Sequence, residues 1–205
     1  MKRSMTVATA VAVFAGFLAA GCATTAPKPS PEKQKYRFEG KNTMIWAEEF
    51  QFERPPESWK LVQVDEGDEF AFAFIRSGNC PFPCQSTVAF DEEPFGYSTD
   101  LDKRMDEFYR RFLWATQVKF GDVQKKKIQV LGGEGLTGIA EGKDTALGQK
   151  VWTQVTLGKR GDRVVAFYVT QWRQMDVAYD ERDGADFGRF VDSFRFLKKS
   201  FFEAL

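Results

Sequence analysis

Histidine is absent from this 205-residue chain, and its absence narrows the chemistry sharply. Without imidazole there is no Ser–His or Cys–His nucleophile pair, no histidine general base and no imidazole ligation of zinc or haem. A hydrolase of the familiar triad kind is all but excluded. Carboxylate- or lysine-based chemistry is not excluded, yet no nucleophile–base pair stands out. The expectation is a non-enzymatic protein with no cofactor and no metal site. An excess of either charge is also lacking, since 29 Lys and Arg face 29 Asp and Glu. Binders of nucleic acid usually carry a clustered basic face, so none is expected as a partner. The run Lys125-Lys126-Lys127 reads instead as the solvated part of an edge strand, where lysine discourages unwanted pairing. Cysteine is scarce, at three residues. The uncharged, mostly apolar run from Met5 to Ala20 spans only 16 residues, short of the roughly 20 that a helix needs to cross a bilayer.

That run nevertheless has a recognisable setting. Lys2 and Arg3 precede it, and Ala19-Ala20-Gly21 lead directly into Cys22. A basic start, a short apolar centre and small residues at the end are the pattern of a secretory signal. The stretch resembles the lipobox of bacterial lipoproteins, with Ala19 standing where that pattern most often has Leu. The resemblance implies a signal peptide over residues 1–21, lipidation of Cys22 and a membrane contact through its acyl chains (palmitate among them). With Ala23 rather than Asp after the cysteine, the implied location is the outer membrane, facing the periplasm. An ordinary cleaved signal and a retained anchor are the alternatives. Cleavage leaves 27 basic against 29 acidic side chains, a net charge of −2.

Residues 22–36 read as a Pro-rich tether. From Ala23 to Lys35 (ATTAPKPSPEKQK) there is no apolar residue larger than alanine, so the segment cannot bury enough surface to fold. Residues 37–205 then suit one domain. Strands are expected at Met44–Phe52, Trp59–Val64, Phe70–Arg76 and Ser86–Phe90, each short and rich in aromatic or β-branched residues. The period then changes: Leu101, Met105, Phe108 and Phe112 recur at helical spacing, giving a helix from about Asp100 to Thr116 with Thr99 as its N-cap. Four further strands follow at Lys125–Leu131, Gly135–Glu141, Lys150–Leu157 and Arg163–Trp172. A closing helix carries Phe187, Phe190, Val191 and Phe194. The expected fold class is α+β, an antiparallel β-sheet flanked by helices.

At this point the chain resembles a family. "FERPPESW" (Phe52 to Trp59), the mid-chain helix, the C-terminal meander and "FVDSFRF" (Phe190 to Phe196) are similar to PsbP-like and DcrB-like domains. The resemblance spans roughly Phe38 to Leu197. It implies an α/β/α sandwich and a binding or accessory role. Histidine metal ligands of some photosynthetic members have no counterpart here.

Five local features invite a site. Cys80 and Cys84 flank Pro-Phe-Pro in "NCPFPC" and, with Cys22 acylated, make an even pair expected to form a disulfide in an oxidising compartment. A redox pair is the alternative, but three residues intervene and no helix begins there to lower a thiol pKa. A metal site would need Asp91, Glu92 and Glu93. Gly133-x-Gly135-x-x-Gly138 matches a dinucleotide fingerprint by letters, without the helix the motif requires. Arg160-Gly161-Asp162 reads as hairpin-turn chemistry rather than an adhesion motif. The acidic stretches at Asp91 and Asp180–Asp183 lack the spacing of a calcium loop. Trp152 and Trp172, expected on neighbouring strands, are a candidate binding face, with core packing as the other reading. The functional expectation is a lipid-anchored envelope protein that binds a protein partner or assists an envelope complex. A small-ligand or metal-binding module is the alternative.

Overall fold

The structure, a computed structural model, describes residues 36–46, 48–63, 71–92, 99–144, 147–161 and 163–198. The signal peptide, Cys22 and the tether up to Lys35 lie outside the described residues, as do Glu93 and Asp162. Tyr36, expected to end the tether, opens the first strand. Among the described residues twelve strands and two helices follow in order: β1 Tyr36–Glu39, β2 Thr43–Trp46, β3 Phe50–Glu53, β4 Lys60–Gln63, β5 Ala71–Ser77, β6 Gln85–Glu92, α1 Leu101–Thr116, β7 Lys119–Phe120, β8 Gln124–Val130, β9 Gly133–Asp144, β10 Gln149–Arg160, β11 Arg163–Gln174, α2 Glu181–Ser193 and β12 Arg195–Phe196.

The strands form two antiparallel sheets. The larger runs β4-β5-β6-β11-β10-β9-β7, with β8 also paired to β9; the smaller runs β1-β2-β3-β12. β11 lies centrally and is buried on both faces. Val165, Phe167 and Val169 enter one core, while Val164, Ala166 and Tyr168 enter the other. Helix α1 covers the second face through Met105 and Tyr109. The first face is covered jointly by α2 and the small sheet. The outer layer on that side is therefore part helix and part sheet, unlike the purely helical layer of the expected sandwich.

Nine of the chain's 21 phenylalanines fill the core between this layer and the large sheet. Phe50 and Phe52 from β3, Phe72 and Phe74 from β5, Phe90, Phe167, Phe187, Phe190 and Phe194 are all fully buried. Phe194 stacks on Phe90 at 4.8 Å and meets Phe167 edge-on at 4.9 Å, while Phe52 stacks on Phe72 at 4.9 Å. Each ring buried contributes about 1.5–3 kcal/mol, and offset or edge-on pairing adds to that.

The stretch Met44–Phe52, expected as one strand, is instead a hairpin in which Trp46 pairs with Phe50 and Met44 with Phe52. A continuous strand would place Glu48 on the same face as Met44, Trp46, Phe50 and Phe52. Folding back at Glu48 (φ 56°) keeps the four apolar residues together and leaves Glu48 outside, paired with Arg37 at 2.7 Å. Helix α1 is capped by Asp100 rather than Thr99; its carboxylate accepts from the amides of Asp102 and Lys103. The glycines of "GGEGLTG" lie within or beside β9, with no helix following. A Cβ at Gly138 would lie 2.7 Å from the Met105 sulfur, and one at Gly135 2.3 Å from a Val130 methyl. These glycines let α1 and the neighbouring strand approach closely.

Candidate functional site

The features with a claim to function gather at one end of the large sheet, where β5 turns into β6 and β11 runs towards α2. The β5–β6 connection is closed by a disulfide between Cys80 and Cys84, with Cα atoms 5.6 Å apart. The Gly78 amide donates to the Cys84 carbonyl at 2.8 Å. Glycine is required at position 78, because a Cβ there would lie 2.4 Å from the Cys84 sulfur. Phe82 stands at the loop's tip with 61% of its surface exposed, and its carbonyl accepts from the Gln174 side chain at the end of β11.

Beside this loop the strand ends line up in order. Gln174 pairs with Gln149 at the start of β10, and the Met175 amide donates to the Gly148 carbonyl at 3.2 Å. Met175 is 41% exposed and Leu147 64%. Phe82, Met175 and Leu147 thus project from three adjacent chain segments, spanning about two strand spacings, or about 10 Å.

Beneath them runs a buried polar network. On the first face of the sheet, apolar alternation gives way to Arg76 in β5, Ser86 in β6, and Gln171 and Arg173 in β11. Asp183 of α2, with no exposed surface, accepts from Arg76 and from the Ser86 hydroxyl, with Arg173 3.7 Å away. Arg173 also donates to Ser86 Oγ and to Gln171 Oε1, each at 3.0 Å, and to the Gln85 carbonyl at 2.9 Å. Gln171 accepts from the Asp180 amide at 2.8 Å and donates to the Asp180 carbonyl at 2.9 Å. Arg76 reaches Asp180 at 2.8 Å and lies over the Trp59 ring at 5.2 Å. The Trp59 indole in turn donates to Asp186 at 2.8 Å.

The electrostatics follow from burial and pairing. Burial pushes the Asp183 carboxyl above the usual carboxylate value, opposed by the Ser86 hydroxyl and by Arg76. Asp180 is held well below that value, chiefly by the Arg182 side chain and also by Arg76. Burial lowers the Arg173 guanidinium, against the attraction of Asp183. Every oxygen of Asp183 is engaged within the fold, so its chemistry is that of a clamp, fixing the start of α2 to β5, β6 and β11.

The expected site residues divide accordingly. Cys80 and Cys84 come together as a disulfide. Trp152 and Trp172 do not form one face: Val151 pairs with Trp172 and Trp152 with Gln171, so the two rings leave opposite sides of the sheet. Trp152 packs against the phenylalanine core, and Trp172 stacks on Phe112 of α1 at 6.3 Å. Among the described residues no group of three or more His, Cys, Asp or Glu is placed to hold a metal. Asp180 and Asp183 are turned to arginines, and Asp91 is buried in β6. No described helix is long and apolar enough to cross a membrane. In the sequence the network leaves one mark, the arginine that closes each of two apolar strands, "FAFAFIR" and "VTQWRQ".

No protein-family model matches the chain, and none of the curated proteins does. Among solved structures, cyanobacterial PsbP from Synechocystis is similar at 12% identity and a TM-score of 0.47, covering 73% of this chain and 88% of its own. A Pseudomonas aeruginosa protein of unknown function aligns at 10% identity and 0.39, over 55% of this chain and 82% of its own. A Bacteroides thetaiotaomicron protein aligns at 12% identity and 0.37, and this chain covers 49% of its length.

Proposed function

We propose that this chain is a lipid-anchored protein of the bacterial cell envelope, non-enzymatic, with a domain of the PsbP-like and DcrB-like kind that docks a protein partner through its disulfide-closed end. The single observation that carries the docking role is the exposed trio of Phe82, Leu147 and Met175 on adjacent segments. Aromatic side chains are frequent anchors of protein interfaces. Phe82 sits between two prolines inside a disulfide-closed loop, so little conformational freedom remains to be lost on binding. The anchor rests on the leader: a basic start, a short apolar centre, Ala-Ala-Gly, then Cys22 and a Pro-rich tether. Placement at the outer membrane follows from Ala23 under the same resemblance.

The test uses the full chain in a Gram-negative envelope, with a photo-crosslinking residue at position 82 or, as control, at the exposed Lys126. A discrete protein adduct from position 82 alone is the expected result. Equal or absent crosslinking from both positions sinks the docking role. Cys22→Ser should abolish incorporation of a labelled fatty acid, and a variant that remains labelled removes the anchor.

A further inference from the structure

Towards β7 and β9 the large sheet is covered on one side only. Along β9 the residues that face α1, among them Leu136, Gly138, Ala140 and Gly142, are buried, while Thr137, Ile139, Glu141 and Lys143 on the other side are half-buried or exposed. The side left open is the first face, which α2 and the small sheet cover over β5, β6 and β11. There the strand register lines up three lysines. Lys119 of β7 is directly opposite Lys143 of β9, and Lys143 is directly opposite Lys150 of β10. The row ends on Arg173 of β11. Residues paired in this way share a face with Cβ atoms about 5 Å apart, and like charges so placed repel. We infer, resting on the docking role proposed for Phe82, Leu147 and Met175, that their partner carries an acidic segment lying across the Lys119–Lys143–Lys150 row.

Other cations of the fold are answered from within. Lys125 meets Asp106 at 2.6 Å, Lys198 meets Glu49 at 3.1 Å, and Arg173 lies 3.7 Å from Asp183. Among the described residues Lys119, Lys143 and Lys150 have no carboxylate partner. The Lys150 ammonium lies 4.8 Å from the centroid of the Tyr179 ring, a contact that holds the charge without neutralising it. Over β7, β8, β9 and β10 the register puts Glu141 alone among acidic residues on this face. Asp144 turns to the opposite side and accepts from the Leu147 amide at 3.1 Å. Asp122 and Asp176 belong to connecting turns and pair with none of the three. Three lysines against one glutamate leave the row a positive surplus.

The row borders the docking end. Lys150 follows Gln149, which pairs with Gln174 beside Met175, and Lys143 and Lys150 flank the turn that carries Leu147. The apolar trio sits at strand ends, whereas the lysines stand on the sheet face, so anchor and charge meet at a corner. A polypeptide can bend round that corner, with an apolar patch on the trio and carboxylates on the row. A flat lipid surface touching the strand ends would meet the face edge-on, which favours protein over membrane as the source of the anions. Opposed lysines cost stability in the free protein, and carboxylates that neutralise them remove that cost on docking.

The experiment places a photo-crosslinking residue at position 82 or position 141 of the full chain in a Gram-negative envelope. Position 141 shares the face with the three lysines and leaves them all in place. One protein adduct common to both positions is expected, with the product from position 141 mapping by mass spectrometry to a partner stretch richer in Asp and Glu than in Lys and Arg. In Lys119→Gln/Lys143→Gln the adduct from position 82 should fall about fivefold. Lys119→Arg/Lys143→Arg, which keeps the charge, should retain it. The glutamine variant relieves repulsion, so its urea midpoint should be no lower than the parent's. An adduct from position 82 that persists undiminished in the glutamine variant overturns the acidic segment and leaves the docking role standing. Loss of the adduct in the parent itself removes the docking role and the acidic segment together. A neutral or basic partner stretch, or a phospholipid adduct from position 141, also overturns the inference.

Discussion

Truncating Asp183 to alanine leaves Arg76, Arg173 and the Ser86 hydroxyl without a shared acceptor in a region with little access to water. Removing one member of such a buried group typically costs about 3–5 kcal/mol, and Asp183→Ala should show a loss of that size in urea denaturation. Asp183→Asn tests a different quantity. It keeps an acceptor oxygen, and burial already raises the Asp183 carboxyl, so the folded state gains little from its charge. A clearly smaller loss is expected; an equal one would show that the charge itself is essential. Asp180 has the opposite sign. Its folded carboxyl titrates below the ordinary value of 3.8, so its stabilisation is complete above that pH and is lost as pH falls below it. Asparagine still caps a helix well. Asp180→Asn should therefore be less stable than the parent at pH 7, with the gap closing in strong acid, as measured by denaturation at both values.

At the level of elements, the disulfide closes five residues, and loop-closure entropy for so short a loop is worth about 2 kcal/mol. The Cys80→Ser/Cys84→Ser double variant should lose about that much in urea midpoint terms, and a loss near zero would mean Gln174 and the Gly78–Cys84 hydrogen bond hold the loop unaided. The long periodic elements were readable from the chain. α1, α2 and β9 to β11 fall where alternation and helical spacing place them, because each buries a continuous face, and β8 falls where its run of edge lysines places it, largely exposed. β1, β7 and β12, at two to four residues, are too short to show a period. The Met44–Phe52 hairpin was hidden because its apolar residues keep the same spacing whether the chain runs on or turns back. For Trp152 and Trp172 the choice between a shared face and core packing turns on the hairpin's register, because shifting it by one residue reverses the face; the register observed sends each ring to a different core. The clamp was not legible at all. Arg76 and Asp183 stand 107 positions apart, and only the packing of α2 across β5 makes them neighbours.

Across the whole molecule, two cores share one sheet. Trp46 and Trp59 report on the phenylalanine side and Trp172 on the α1 side. Since β11 contributes alternate residues to both, neither side can open without exposing the other. Variants retaining Trp46 alone or Trp172 alone should thus unfold at the same urea midpoint, the signature of a two-state transition. Separate midpoints would show two independently melting layers. The pairing of β12 with β3 carries a further consequence, for the order in which the chain becomes a protein. Arg195 meets Gln51, and Phe196 meets Phe50, so the sheet that opens at β1 is completed only after α2 has been made. Contacts this distant in sequence slow folding, and while the chain is being synthesised the rings of Phe50, Phe52, Phe72 and Phe90 await Phe190 and Phe194. Throughout that interval the nascent chain presents a bare aromatic face, and a holding chaperone has a target that vanishes once α2 and β12 arrive.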